Sequence, residues 1–198
     1  MTDWLTVLPQ DTEEIARYVE AVQTIAGAGK TGYEAISKFF GSSFVNNLKK
    51  VFGKAEQLTA AIPEERRSQP SPAIMIPLIE SAMKENRDEL QTRWAALMAN
   101  AALDGGHKVR RDFIETLAKL EPVDVLVLDI ISKKPVASSP EAANDANRYI
   151  DKQRQTYKLQ GEEWDVTLQT LLKLGCTIHG FQQLSPFGRL FVAACTVH

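Results

Sequence analysis

Cysteine is scarce in this chain: Cys176 and Cys195 are the only two among 198 residues. A disulfide-stapled secreted scaffold is thereby excluded, since such folds need several bridges to make up for a thin core. Histidine is nearly as scarce. His107, His179 and His198 stand alone, none of them in an HExxH pattern or beside a nucleophile elbow. Charge of one sign is missing too: 23 lysines and arginines face 25 acids, a formal net charge of −2. That balance excludes the basic surplus by which proteins that coat phosphate backbones hold nucleic acid. No apolar run approaches the roughly 20 residues that cross a bilayer, so no transmembrane segment is expected. The opening MTDWLTVLPQDTEE is acidic, with no basic region ahead of an apolar stretch. No secretory signal is visible there, and a reducing, cytoplasmic setting is the expectation.

What the chain does have is helical periodicity. Asp11 with Glu14 forms a capping-box pattern. Behind it Ile15, Tyr18, Val19 and Val22 fall on one stripe. The glycines of AGAGKTG (26–32) end that helix. GAGKT is not a phosphate loop, because the position that needs the first glycine is Thr24 and no buried strand precedes it.

A second amphipathic stretch covers 33–58, with Ile36, Phe40, Phe44, Leu48 and Val51 on a broad apolar face. Lys38 and Lys49 lie opposite, and Lys50 and Lys54 flank the stripe. From Lys30 to Lys54 five lysines meet one acid, Glu34, which makes this the one clearly basic region. Two uses fit that pattern. One is a solvated lysine face over a buried stripe. The other is a surface for anionic lipid or a partner, built from Lys38, Phe40, Phe44, Leu48, Lys49, Lys50 and Val51.

The proline-rich IPEERRSQPSP (62–72) is a connector, and Ser71-Pro72 starts a helix that Pro77 should break or restart. A strong helix follows from Asp88 to about Leu103, with Leu90, Trp94, Leu97, Met98 and Ala101 on one face. The glycines at 105 and 106 end it. Val109–Leu120 is the next helix, and Pro122 opens VDVLVLDII, an apolar segment best placed as a buried helix. KKPVASSPEAA (133–143) is the expected flexible boundary. Beyond it come a polar helix (144–158), a shorter one (164–174) ended by Gly175, a strand at TIHGFQQ, and a last helix from Ser185-Pro186.

The expected fold is therefore mainly all-α, a bundle-like helical body with a small winged-helix-like C-terminal unit containing a short strand or hairpin. Its divisions are 1–61, an N-terminal helical segment with the basic stretch; 62–132, a helical core region; and 144–198, the C-terminal unit.

Little catalytic chemistry is visible. The pairs Glu13/Glu14, Glu64/Glu65 and Glu162/Glu163 sit in polar stretches with no local source of a raised pKa. No catalytic residue and no cofactor is assigned. The tetrads CTIH (176–179) and CTVH (195–198) supply the two thiols and two imidazoles of a structural zinc site. Against it, Cys176 and His179 would point to opposite faces of a strand; buried cysteines beside incidental histidines are the preferred reading, and no metal ligand is assigned. DVTLQTLLKL, the segment that would read DNA in a winged-helix unit, has one base, Lys173, and one acid, Asp165; His179 and Arg189 sit near the wing.

The stretches PAIMIPLIESA (72–82), DELQTRWAALMANAA (88–102) and VRRDFIETLAKLEPVDVLVLDII (109–131) resemble the Abi-alpha (abortive infection alpha) family of bacterial proteins. LLKLGC and LSPFGRLFVAAC are similar to its closing segment. The resemblance covers about 60–198 with a gap over the linker and rests mostly on packing residues, among them Pro77, Leu78, Trp94, Leu97, Phe113 and Leu117. It implies a helical, cytoplasmic protein tied to defence against phage, and it brings no catalytic residues. The expected function is non-enzymatic, through protein contacts or self-association, with peripheral membrane contact by the basic stretch as an effector step. A winged-helix DNA-binding regulator and a zinc-binding interaction module are the alternatives.

Overall fold

The computed structural model describes residues 42–197 except 69, 136–138, 160, 179 and 180. The helix placed over residues 11–25, the glycine turn at 26–32 and the start of the basic stretch lie outside them. Among the described residues there are eight α-helices and one two-stranded sheet, so the fold is mainly all-α as expected. The chain forms two compact units. The first takes the described residues through Ala118 together with those from Ala194 onward; the second is Lys119–Ala193.

The first unit is built round one helix. α1 (Ser42–Thr59) and α2 (Pro72–Ala82) both pack on α3 (Asp88–Ala101), and α4 (Arg111–Leu117) follows. In α3 every residue from Trp94 to Ala101 is buried, and all of them but Asn100 are apolar. Ala95, Ala96, Ala99 and Ala101 keep its surface shallow, which lets neighbouring helices approach closely. α1 meets it with Leu48, Val51, Phe52 and Ala55.

Pro77 does not break its helix. α2 runs through it from Pro72, at the cost of the hydrogen bond a residue there would give to the carbonyl of Ala73. Leu78, Ile79 and Ala82 on the far side are buried, and their packing outweighs that local loss. The connector after α1 is stapled to the end of α3. Arg66 grips Asp104 with two bonds of 3.0 and 2.6 Å, Arg67 pairs with Leu103, and the amide of Ser68 donates to Ala102. Asp104, Gly105 and Gly106 all take positive φ, and the amide of Gly105 donates to the hydroxyl of Ser68.

The second unit centres on α5 (Pro122–Ser132), which is a helix as expected. Its start is a reciprocal capping box: the Glu121 side chain accepts an amide of the first turn, and Asp124 accepts the amide of Glu121 at 2.9 Å. α6 (Pro140–Thr156) begins four residues earlier than the sequence suggests, because Ser139 accepts the amide of Ala142 as its cap. α7 (Glu162–Lys173) follows. The segment expected as one strand is a hairpin, β1 (Thr177–Ile178) antiparallel to β2 (Phe181–Leu184), with a register irregularity between Thr177 and Ile178. α8 (Pro186–Ala194) closes the chain's regular structure. Val127, Leu128, Ile150, Trp164, Leu171, Cys176 and Phe191 form the core.

Candidate functional site

The basic stretch divides between core and surface. Leu48 and Val51 are 1% and 0% exposed, so both must be taken off the surface proposed for them; they are the side chains with which α1 closes the core on α3. Phe44 is 36% exposed, and Lys49 and Lys50 are exposed. Lys38 and Phe40 lie outside the described residues. Lys54 faces the start of α3, donating to the carboxylate of Asp88 at 2.7 Å, its carbonyl at 3.2 Å and the hydroxyl of Thr92 at 2.9 Å. Asp88 is largely in water, so this is an orientating contact of modest strength.

The thiols are buried. Cys176 is 0% and Cys195 5% exposed, and neither is in a disulfide. Burial, with the charge of Asp124 adding to it, pushes the Cys176 thiol up to about 12. His179 and His198, the other halves of the two tetrads, lie outside the described residues. Among the described residues no three His, Cys, Asp or Glu side chains gather as a metal site would require. Glu64, Glu65, Glu162 and Glu163 are exposed, and His107 lies exposed beside the loop after α3.

Buried polar chemistry is found instead at two places in the first unit. Between α2 and α3, Glu85 is 8% exposed. It takes three bonds from Arg87: from the amide at 2.9 Å, from Nε at 2.8 Å and from the guanidinium at 2.9 Å. Burial alone would raise this carboxyl, but those bonds and the adjacent charge outweigh it and hold the group below its usual range. Gln91, fully buried, donates to the carbonyl of Glu85 at 2.8 Å, and Asn47 donates to that of Met83 at 3.2 Å.

At the far end of α3, Asn100 is 3% exposed and donates to the carbonyls of Ala194 at 2.9 Å and Thr196 at 2.8 Å. Arg93, two turns earlier, donates to the carbonyl of Cys195 at 3.3 Å. Three successive main-chain oxygens are thus held by side chains of one helix. Sequence reasoning passed over both residues. The signal available was an asparagine set in the middle of an alanine-rich apolar run.

In the second unit, the helix that a winged-helix reader would present to DNA is α7, and its first turn holds Glu162, Glu163 and Asp165. Acids there suit the positive end of the helix dipole, and they repel phosphate. Arg189 donates to the carbonyl of Leu184 at 3.0 Å. Among the described residues no helix is long and apolar enough to cross a membrane.

Set against protein families, residues 43–178 match Abi-alpha, described as abortive infection alpha; the matched stretch runs from the first turn of α1 to the end of β1. No curated protein and no solved structure matches the chain.

Proposed function

The chain belongs to the abortive infection alpha family, and from that premise we propose that it is a non-enzymatic bacterial phage-defence factor acting through protein contacts. The observation that carries this reading is the extent of the family match, which takes in the core helices of both units.

Phage challenge tests the proposal. A bacterial culture expressing the chain and an empty-vector culture are infected at low and high multiplicity. Protection at low multiplicity with collapse at high multiplicity is the expected result. Equal lysis of both cultures across a varied phage panel would remove the proposal.

Peripheral membrane association is the second reading, and it rests on Lys49 and Lys50, both exposed on α1, with Phe44 partly exposed earlier on the apolar side of the same helix. Exposed lysines suit an anionic interface, and a partly exposed aromatic ring on the same helix adds apolar contact. Flotation with vesicles of anionic phospholipid should carry the chain upward, less so at high salt. Flotation that ignores vesicle charge counts against it. A DNA-binding role has weaker support, given the acids that open α7.

A further inference from the structure

Asp104–Gly105 is the one Asp-Gly pair of the chain, and no Asn-Gly pair occurs. Aspartate before glycine is the pairing most open to isomerisation, because no side chain shields the following amide nitrogen. That nitrogen bonds to Cγ of the aspartate, and the C–O bond to one carboxyl oxygen breaks. The oxygen leaves as water, taking the amide proton and the carboxyl proton. Water then opens the five-membered imide. Addition at Cγ restores aspartate; addition at the other carbonyl leaves isoaspartate, with the backbone running through Cβ.

The turn after α3 imposes this pair on the chain. Asp104, Gly105 and Gly106 stand at φ of 49°, 77° and 71°, a left-handed course that glycine follows without strain. A Cβ on Gly105 would also stand 2.9 Å from Nε2 of His107. Both reacting groups, however, are engaged elsewhere. Arg66 holds each carboxylate oxygen of Asp104, Nε donating to Oδ1 at 3.0 Å and Nη2 to Oδ2 at 2.6 Å. Those bonds and the guanidinium charge, with Lys108 adding to them, keep this carboxyl below its usual range. An ionised carboxylate has no proton with which its oxygen could leave as water. The amide of Gly105, the nucleophile, donates to the hydroxyl of Ser68 at 2.8 Å. Ser68 is carried there by its own amide, which donates to Ala102 at 2.9 Å, and by the pairing of Arg67 with Leu103.

We propose that Asp104 is a site of isomerisation to isoaspartate, held shut in the folded chain by Arg66 and Ser68. It lies at the surface, within reach of the water that opening the imide consumes. The full wild-type chain, its Arg66→Ala and Ser68→Ala variants and a synthetic peptide of residues 94–108 are kept for weeks at neutral pH and body temperature. Isoaspartate at Asp104 is followed by mass spectrometry of the tryptic fragment and by methyl transfer with an isoaspartyl methyltransferase. The peptide sets the unguarded rate. The wild-type chain should react slower than it by about tenfold or more, since it reacts only from locally open states. Each variant should react about threefold faster than wild type, the scale on which one exposed ion pair or hydrogen bond acts. Circular dichroism checks that each variant is folded. Should Arg66→Ala fail to fold, Arg66→Lys takes its place, keeping the charge and losing the two-point fork. A wild-type chain as fast as the peptide overturns the proposal. So does a peptide that stays unchanged, or a folded variant that keeps the wild-type rate. These rates are independent of any role in phage defence.

Discussion

A Cβ on Gly188 would stand 1.9 Å from the carbonyl oxygen of Cys176. The first turn of α8 lies directly on the main chain that leads into β1, and no larger residue fits between them. Ser185 fixes the same junction. Its amide donates to the carbonyl of Cys176 at 3.0 Å, its hydroxyl donates to that of Gly175, and its oxygen accepts the amide of Gly188 at 2.8 Å. Gly175 reaches this position with a φ of 73°, open to glycine without strain. The segments LLKLGC and LSPFGRLF are thus two halves of one joint.

Gly188→Ala should accordingly destabilise the chain by about 3 kcal/mol, at the upper end of overpacking costs, because the obstacle is backbone and cannot rotate away. Urea unfolding followed by circular dichroism measures it. A loss under about 0.5 kcal/mol would mean that α8 can slide off Cys176 at little cost.

Gly53 predicts the opposite sign. It lies inside α1, and a Cβ added there would meet nothing within 4 Å. Gly53→Ala should stabilise the chain by roughly 0.5–1 kcal/mol, the penalty glycine ordinarily carries in a helix interior. For a chain of this size that is about 1–4 °C in Tm. A fall in Tm would show that something outside the described residues approaches this position.

These two glycines show where sequence alone stops. Gly53 was visible as a weak point in a periodic helix, and its partners are local. Nothing within a few residues of Gly188 distinguishes it from any helical glycine; its reason is a carbonyl twelve positions away. The helices themselves were legible, since Leu90, Trp94, Leu97 and Met98 repeat at helical spacing and Pro122 marks a first position. Pro77 misled because local propensity was outweighed by the burial of Leu78 and Ile79. At the candidate surface, periodicity placed Phe44, Leu48 and Val51 on one face of a helix, but not which part of that face α3 would cover. The partners of Asn100 and Arg93 are illegible for a stronger reason: they come from about 100 residues along the chain.

Two carboxyls should respond to acid in opposite senses. Glu85 is held below the usual carboxylate range in the folded chain, so its contribution to stability is full above its unfolded pKa. That contribution is lost as pH falls through the lowered folded value. Asp124 is raised, burial being the main cause, so its ionised form costs stability above the raised value. The cost disappears as pH falls below its unfolded pKa. Glu85→Gln should therefore be less stable than wild type at about pH 7, the gap closing toward about pH 3. Asp124→Asn keeps an oxygen for the amide of Glu121 and should match or exceed wild type at neutral pH, converging with it in acid. Unfolding midpoints across that range test both. Gaps that stay constant with pH would mean that neither group's ionisation is coupled to folding.

Core and surface on α1 separate cleanly by mutation. Leu48 is 1% exposed against α3, so Leu48→Ala should cost about 3 kcal/mol through lost burial and the cavity left behind. Lys50 is exposed one turn before the tied Lys54, and Lys50→Glu should change stability by less than about 0.5 kcal/mol. The pair then distinguishes how protection against phage would be lost. If the chain works through protein contacts made elsewhere, Leu48→Ala lowers protection in step with the amount of folded protein, and Lys50→Glu keeps it. If the exposed turn of α1 docks on anionic lipid, Lys50→Glu loses protection and vesicle flotation together while remaining folded. Thermal unfolding, flotation and plating efficiency on the same three strains give the answer. Protection retained by Lys50→Glu, with flotation abolished, would detach the membrane contact from the defence altogether.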